Sequence, residues 1–114
     1  MKVAIIGSRI KKNSLLKIIL KNLPAYTTEI VSGGAEGIDQ YAEEIARELS
    51  IPTKIFYPEY EKFGRAAPLK RNLKILEYAD EVIAFWDLHS KGTKQVIVEC
   101  IKQNKPVKIV PIKQ

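Results

Sequence analysis

Short runs of β-branched and apolar residues alternate along the chain with longer segments in which apolar residues recur at helical spacing. The runs predict strands over residues 3–6, 29–32, 53–57, 81–85 and 107–110. The segments between them predict helices over residues 14–22, 36–50, 68–78 and 93–104. Such alternation is typical of βαβ units, so we expect an α/β fold in which right-handed crossovers place helices on both faces of a mostly parallel sheet.

The length and composition are those of one ordinary globular domain. With 114 residues, 46% of them hydrophobic and 28% charged, the chain can bury its own core, and we expect a single domain over residues 1–114. Cys100 is the only cysteine, so an intrachain disulfide and a multi-cysteine metal site are excluded. It lies in an apolar helical pattern. We therefore expect no bound metal.

The sequence shows neither a membrane-span nor a secretory pattern. No apolar run approaches the length needed to cross a bilayer. The stretch "KVAII" follows Met1 without the basic start and the cleavage site of a signal peptide. We expect a cytoplasmic protein without a membrane partner.

Basic residues exceed acidic ones. Lysine and arginine total 19 against 13 aspartates and glutamates, which gives a formal net charge of +6. This excess favours an anionic partner such as a phosphate, a nucleotide or a nucleic acid. A lysine-rich solvated surface is the alternative, and charge alone does not decide between them.

Glycine-bearing segments follow three of the predicted strands and precede predicted helices. They are Gly7-Ser8-Arg9, "SGGAEG" from Ser32 to Gly37, and "HSKGT" ending at Thr93. Since the carboxyl ends of parallel strands share one edge of a sheet, we expect these segments to meet there. Glycine residues at a helix start leave the backbone N–H groups accessible to an anion. We therefore predict that the three segments bind a phosphate or a polar nucleotide edge. The alternative is that the glycines only permit tight turns.

Known phosphate-binding fingerprints do not explain these segments. The first departs from GxGxxG, and no GxxxxGK[ST] loop occurs, so a standard dinucleotide or P-loop site is not predicted. Arg71, followed by Asn72, lies one turn into the third predicted helix, where its forked side chain can reach over the sheet edge to a phosphate or carboxylate. A solvated helix face is the competing interpretation.

The segment after the fourth predicted strand carries further candidates. Trp86 ends that strand and either stacks on a base or packs as a partly buried side chain. Asp87 is the carboxylate that we expect nearest a ribose. Ser90, Gly92 and Thr93 form either a second anion nest or a plain capping turn.

Taken together, "VAIIGSR", "VSGGAEGID", "GRAAPLKRN", "ADEVIAFWD" and "SKGT" resemble the SLOG superfamily of nucleotide-binding Rossmann-like domains. That superfamily includes the DNA-processing protein A (Smf) family, the YspA/YpsA-like proteins and the Lonely guy phosphoribohydrolases. The resemblance runs from residue 3 to about residue 110 and is nearest to the small stand-alone YspA-like type. It implies a three-layer α/β/α Rossmann-like sandwich with a mostly parallel five-stranded sheet, whose glycine loops bind a nucleotide or a nucleotide-derived ligand.

The resemblance also implies a set of ligand-binding positions. Carried over by position, they are Gly7, Ser8, Arg9, Ser32, Gly33, Gly34, Gly37, Asp39, Arg71, Asn72, Gly92 and Thr93. Together with Trp86, Asp87 and Ser90 they make up the candidate ligand site.

The sequence departs from the Lonely guy enzymes at their catalytic motif. Those enzymes carry PGGxGTxxE, whereas this chain has "HSKGTKQV", so Val96 occupies the position of the glutamate. Cleavage of a ribosyl bond requires a carboxylate near the cation-like sugar, and we therefore do not carry the activity over. Arg71 matches the motif's upstream arginine, and Asp87 or Glu59 would have to supply the carboxylate.

Three functions remain as hypotheses. The first is a sensor or binding module for a nucleotide or an ADP-ribose-like ligand, with no other cofactor expected. The second is a nucleotide or nucleoside-phosphate N-glycosidic hydrolase that uses Asp87 or Glu59 with Arg71. The third is single-stranded DNA binding, related to DNA-processing protein A and prompted by the net charge. Apolar helix faces in so small a sandwich also predict a homodimer or a higher homo-oligomer.

Overall fold

A computed structural model describes residues 1–113. Within them the strands are β1 (Lys2–Gly7), β2 (Glu29–Ser32), β3 (Thr53–Ile55), β4 (Glu81–Trp86) and β5 (Val107–Pro111). The α-helices are α1 (Ser14–Asn22), α2 (Ile38–Glu48), α3 (Tyr60–Phe63), α4 (Ala67–Tyr78) and α5 (Lys91–Lys102), with a 3₁₀ turn over Gly64–Ala66.

The five strands form one parallel sheet in the order β3-β2-β1-β4-β5. β1 and β4 are the central pair, and their register runs from Val3 opposite Glu81 to Gly7 opposite Phe85. The winding direction reverses between β1 and β4, because the chain moves outward from β1 on one side and then returns to β4 on the other. The expected α/β class with a parallel five-stranded sheet is therefore confirmed.

Helices cover both faces of this sheet and make three layers. Alternate residues of β1 point to opposite faces, so Val3 packs with the α1 and α2 side and Ala4 packs with the α4 and α5 side. Burial on both faces explains why β1 and β4 have nearly continuous apolar sequences. The Rossmann-like α/β/α sandwich follows directly from this arrangement.

Local backbone conformations set the bounds of the elements. Helix α2 begins at Ile38 rather than at residue 36, because Gly37 has a φ of 79° that a helix cannot contain. It ends at Glu48 rather than at residue 50, where Ser50 takes a φ of 55°. Strand β3 ends at Ile55 rather than at residue 57.

Helix α3 and the 3₁₀ turn after it were not predicted. Four residues are too few to show a helical period in the sequence, and none of the side chains of α3 is buried. Within residues 1–113, no helix combines the length and the apolar character that crossing a membrane requires.

Candidate functional site

A cavity of about 360 Å³ lies at the carboxyl edge of the sheet, where the loops after β1, β2 and β4 meet the start of α4. It lies beside the reversal of winding between β1 and β4, which is the usual ligand position in parallel α/β sheets. Its lining consists of Ile6, Gly7, Arg9, Gly33, Ala35, Asp39, Pro68, Arg71, Asn72, Ile75, Ser90, Gly92, Thr93 and Val96.

The loop after β1 is held against the loop after β4. A side chain at Gly7 would place its Cβ 2.5 Å from the carbonyl oxygen of Phe85 and 2.7 Å from Cγ1 of Ile38, so only glycine fits there. Ser8 is buried, and its N–H donates to the Phe85 carbonyl over 3.1 Å. Its Oγ accepts the N–H of Asp87 over 3.2 Å and the hydroxyl of Ser90 over 2.9 Å. Ser8 therefore braces the rim of the cavity and does not line it.

Arg9 differs from its neighbours because its side chain is exposed while it lines the cavity. Within residues 1–113 no hydrogen bond or ion pair holds its guanidinium. The guanidinium is therefore available to an anion entering the cavity.

The loop after β2 is shaped by packing. Ser32 is fully buried, where its hydroxyl donates to Glu43 over 3.2 Å and accepts the N–H of Gly34 over 3.3 Å. Gly37 touches the first loop, because a Cβ there would lie 2.8 Å from the backbone of Arg9. Ser32, Gly34 and Gly37 consequently lie outside the cavity lining, whereas Gly33 belongs to it.

Arg71 reaches from α4 over the sheet edge to the loop after β2. Its Nη1 donates to the carbonyl of Gly33 and, over 3.5 Å, to that of Phe56. Its Nε donates to Asn72 Oδ1 over 2.7 Å. Only 8% of Arg71 is exposed, and burial lowers its pKa, although an arginine stays charged in a protein. The Nη2 group has no protein partner within residues 1–113.

Asp39 is the carboxyl group of the cavity. It is 5% exposed, and its Oδ2 accepts the N–H of Ala35 over 3.1 Å. Burial raises the pKa of Asp39 to about 6, although the Ala35 N–H and the charge of Arg71 oppose this shift. The sequence analysis did not predict that Asp39 is the titratable group of the site. The sequence does carry a signal for its burial, because Asp39, Ala42 and Ala46 share the helical face that packs on the sheet.

The other proposed carboxylates lie elsewhere. Asp87 is buried in the loop after β4, where its Oδ1 accepts the N–H groups of His89 over 2.9 Å and Ser90 over 2.8 Å. Glu59 forms a half-exposed ion pair with Lys74 at 2.8 Å, and that hydrogen bond lowers the pKa of Glu59. Neither belongs to the cavity lining, so of the three catalytic candidates the structure places only Arg71 there.

Trp86 also contributes to the rim rather than to the lining. Its ring packs on the core beneath α4 and α5, and its Nε1 donates to the Ser90 carbonyl over 3.1 Å. The partly buried packing role therefore describes Trp86 better than stacking on a base in this cavity.

Helix α5 points its first turn at the cavity through Ser90, Gly92 and Thr93. The N-cap residue, Ser90, makes no side-chain capping bond, because its hydroxyl is directed to Ser8. The first N–H groups of α5 therefore keep their hydrogen-bonding capacity, and they carry the positive end of the helix dipole.

The floor of the cavity is apolar. Ile6, Ile75 and Val96 line it. Ala35 and Pro68 are further lining residues that sequence reasoning did not single out. Within residues 1–113 no three histidine, cysteine or acidic residues converge to hold a metal ion, and Cys100 is a buried thiol whose pKa burial raises to about 11.

Comparisons with known proteins agree with the fold. DNA processing protein A (DprA) from Streptococcus pneumoniae superimposes with a TM-score of 0.79 at 21% sequence identity. The match covers 98% of this chain and 50% of that one, so the chain spans about half of its length. No curated protein sequence matches the chain. The family model of DNA recombination-mediator protein A matches residues 1–58, which is more than half of the 114 residues. The chain therefore belongs to the DNA recombination-mediator protein A family.

Proposed function

We propose that the protein binds a nucleotide or a nucleotide-derived, ADP-ribose-like ligand in the cavity, as a sensor or binding module. The observation that carries the proposal is the uncapped first turn of α5, which faces the same cavity as two arginines. N–H groups at a helix start, with the dipole behind them, stabilise a phosphate.

The two arginines supply complementary contacts. Arg9 is exposed, so its side chain can adjust its position to contact a ligand phosphate. Arg71 is fixed by its hydrogen bonds to the carbonyls of Gly33 and Phe56. The remaining Nη2 donors of Arg71 offer a second, preorganised contact in the cavity. The apolar floor of Ile6, Ile75 and Val96 suits the face of a base or sugar.

The proposal includes no bond-breaking step. Asp39 is the only carboxyl group among the lining residues, and it lies beside Arg71 and the Ala35 N–H beneath the rim. Asp87 and Glu59 lie outside the lining, so no observation favours the hydrolase hypothesis over binding.

Calorimetric titration and thermal shift with AMP, ADP, ATP, NAD and ADP-ribose test this function, because a ligand that binds the folded state raises its melting temperature. At least one of them should bind, and Arg9→Ala should weaken that affinity by about tenfold or more, the usual loss for a charge-assisted hydrogen bond. Arg65→Ala is the matched control, since Arg65 is exposed and lies outside the lining. Failure of the whole panel to bind would contradict the proposal.

Single-stranded DNA is a second candidate ligand for the same cavity. Membership of the DNA recombination-mediator protein A family favours it, and so does the net charge of +6. The phosphates of the DNA strand would bind to the N–H groups of the first turn of α5 and to Arg9. A bound nucleotide should then be displaced by a short oligonucleotide, whereas simultaneous binding of both would place the strand elsewhere.

A further inference from the structure

The loop after β3 and the start of α3 carry two exposed aromatic side chains. Among the described residues, three aromatic side chains are more than half exposed, and they are Tyr57 (65%), Tyr60 (57%) and Tyr26 (52%). Tyr57 lies in the loop after β3 and Tyr60 begins α3, whereas Tyr26 lies before β2, where its carbonyl accepts the amino terminus. Single exposed rings are ordinary, but two rings within four residues form an apolar surface that a ligand can use.

Tyr57 borders the cavity through its contact with Gly34. A Cβ on Gly34 would lie 2.7 Å from Cε1 of Tyr57, so the ring packs directly against the backbone of that glycine. Gly34 lies between Gly33 and Ala35, which both line the cavity. Tyr57 is not itself a lining residue, and its ring therefore lies at the rim, on the β3 side of the opening.

The surrounding backbone holds the Tyr57 ring in this place. The N–H of Phe56 donates to the carbonyl of Ser32 over 2.9 Å, and the carbonyl of Phe56 accepts a hydrogen bond from Arg71. Gly34 has a φ of 69°, which favours glycine, and a side chain there would also displace the ring. Tyr57 is thus positioned by its backbone and by one edge of its ring, while most of its surface stays open to water.

The position of Tyr57 suits a base rather than a phosphate. The phosphate contacts proposed above are the first turn of α5, which follows β4, and Arg9, which follows β1. Tyr57 follows β3, and β3 and β4 lie on opposite sides of β1 in the sheet. A nucleotide held by its phosphate at α5 and extended along the sheet edge would therefore bring its base to Tyr57. An aromatic ring offers a face on which any nucleobase can stack.

We propose that the nucleobase of the bound ligand stacks on Tyr57, so that this residue selects base-bearing ligands over simple sugar phosphates. The inference rests on the proposed function, because it takes the ligand to be a nucleotide bound in the cavity. Arg9 and the α5 turn contact the phosphate that all such ligands share, whereas Tyr57 supplies the contact that distinguishes a nucleotide from ribose 5-phosphate.

Calorimetric titration of the full chain with AMP, ADP, ATP, NAD and ADP-ribose, which all carry adenine, tests the role of Tyr57. For the ligand that binds the wild type most tightly, Tyr57→Ala should weaken the affinity about tenfold, a usual loss for one base–aromatic stack. Tyr57→Phe keeps the ring and should stay within about twofold of the wild type. Tyr26→Ala is the matched control, since Tyr26 is an exposed tyrosine away from the cavity, and it should bind as the wild type does.

Ribose 5-phosphate separates stacking from a merely structural role of Tyr57. It has the sugar and the phosphate but no base, so it should bind the wild type more weakly than the adenine ligand and should not distinguish the wild type from Tyr57→Ala. An adenine ligand that binds Tyr57→Ala as tightly as the wild type would overturn the inference and leave the proposed function standing. A Tyr57→Phe variant as weak as Tyr57→Ala, or an equal loss for ribose 5-phosphate, would overturn the inference as well. If none of the five adenine ligands binds the wild type, the proposed function fails and the inference fails with it.

Discussion

At the scale of single residues, the site depends on two buried charges that meet around a glycine. A Cβ at Gly33 would lie 2.8 Å from Nη1 of Arg71 and 3.0 Å from Oδ2 of Asp39, so the absent side chain makes room for both groups. Burial disfavours each charge, which raises the pKa of Asp39 and lowers that of Arg71. Burial of these two charges is therefore electrostatically unfavourable, as is common where a ligand binds.

The raised pKa of Asp39 predicts a pH-dependent stability. A carboxyl group that binds its proton more tightly when folded contributes its full stability below a pH of about 4, and this contribution is lost as the pH rises through about 6. Relative to Asp39→Asn, the wild type should lose about 3 kcal/mol of unfolding free energy between these values, at about 1.4 kcal/mol for each pKa unit. Urea unfolding at a series of pH values measures the difference, and parallel curves for the two proteins would contradict it.

Substitution of Gly7 should be costly for a steric reason. Gly7→Ala would place its Cβ 2.5 Å from the Phe85 carbonyl oxygen, in backbone that cannot move without disturbing β4. We expect a loss of about 1–3 kcal/mol in the free energy of unfolding, which is typical of an overpacked core. At Gly92 an added Cβ meets nothing within 4 Å, so Gly92→Ala should be neutral or should stabilise the protein by about 0.5 kcal/mol. Equal effects of the two substitutions in urea unfolding would refute the steric explanation.

At the scale of the elements, α4 links the core to the site. Its buried residues Ile75 and Leu76 pack on the sheet, and Arg71 lies on the same helix one turn earlier. The guanidinium can therefore reach the Gly33 carbonyl only while the helix stays seated on the sheet.

Truncation of Leu76 tests how firmly α4 is seated. Leu76 is fully buried, so Leu76→Ala should lower the free energy of unfolding by about 2–5 kcal/mol. Leu69→Ala, at a residue 39% exposed on the same helix, should change it by no more than about 0.5 kcal/mol. Chemical denaturation of both variants gives the comparison, and a mild effect at Leu76 would mean that α4 contributes little to the core.

Much of the element pattern could be predicted because burial is periodic. The predicted bounds of α1 and β2 coincide with Ser14–Asn22 and Glu29–Ser32, since each carries its apolar residues on the face that becomes buried. Bounds failed where backbone conformation rather than hydropathy decides, as at Gly37 and Ser50. Helix α3 was not predicted, because it buries no side chain and its sequence therefore has no helical period of apolar residues.

The candidate site could be predicted only in part. The strand order of a parallel sheet brings the glycine loops to one edge, so the neighbourhood of Gly7, Gly33 and Gly92 followed from the sequence. The division between lining and bracing residues did not, because it depends on side-chain directions. The Ser8 hydroxyl bonds to the loop after β4 and the Asp87 carboxylate bonds to N–H groups of its own loop, whereas Asp39 lines the cavity.

At the scale of the whole molecule, the fold and the charge act together. The sheet order β3-β2-β1-β4-β5 places the cavity beside the central strands, and the chain as a whole carries a formal net charge of +6. A basic surface raises the local concentration of anionic ligands before any specific contact forms.

If the protein binds single-stranded DNA, its affinity should fall steeply with salt. The logarithm of the affinity should decrease linearly with that of the salt concentration, with a slope of about −0.7 for each phosphate contacted. Arg9→Ala should make this slope shallower by about one contact, and Arg65→Ala should leave it unchanged. Fluorescence anisotropy with a labelled oligonucleotide measures both slopes. An affinity insensitive to salt would argue against phosphate contacts.

The hydrogen bonds of Ser8 have a consequence for the kinetics of recognition. One hydroxyl joins the loop after β1 to Ser90, and it also receives the main-chain N–H of Asp87. The two sides of the cavity mouth are thereby fastened to each other before any ligand arrives. The backbone of these two loops then has little conformational entropy left to lose on association. If a nucleotide-like ligand binds there as proposed, its rate of capture should be set by diffusional encounter rather than by the closing of a loop, and ligands should differ chiefly in their rates of dissociation.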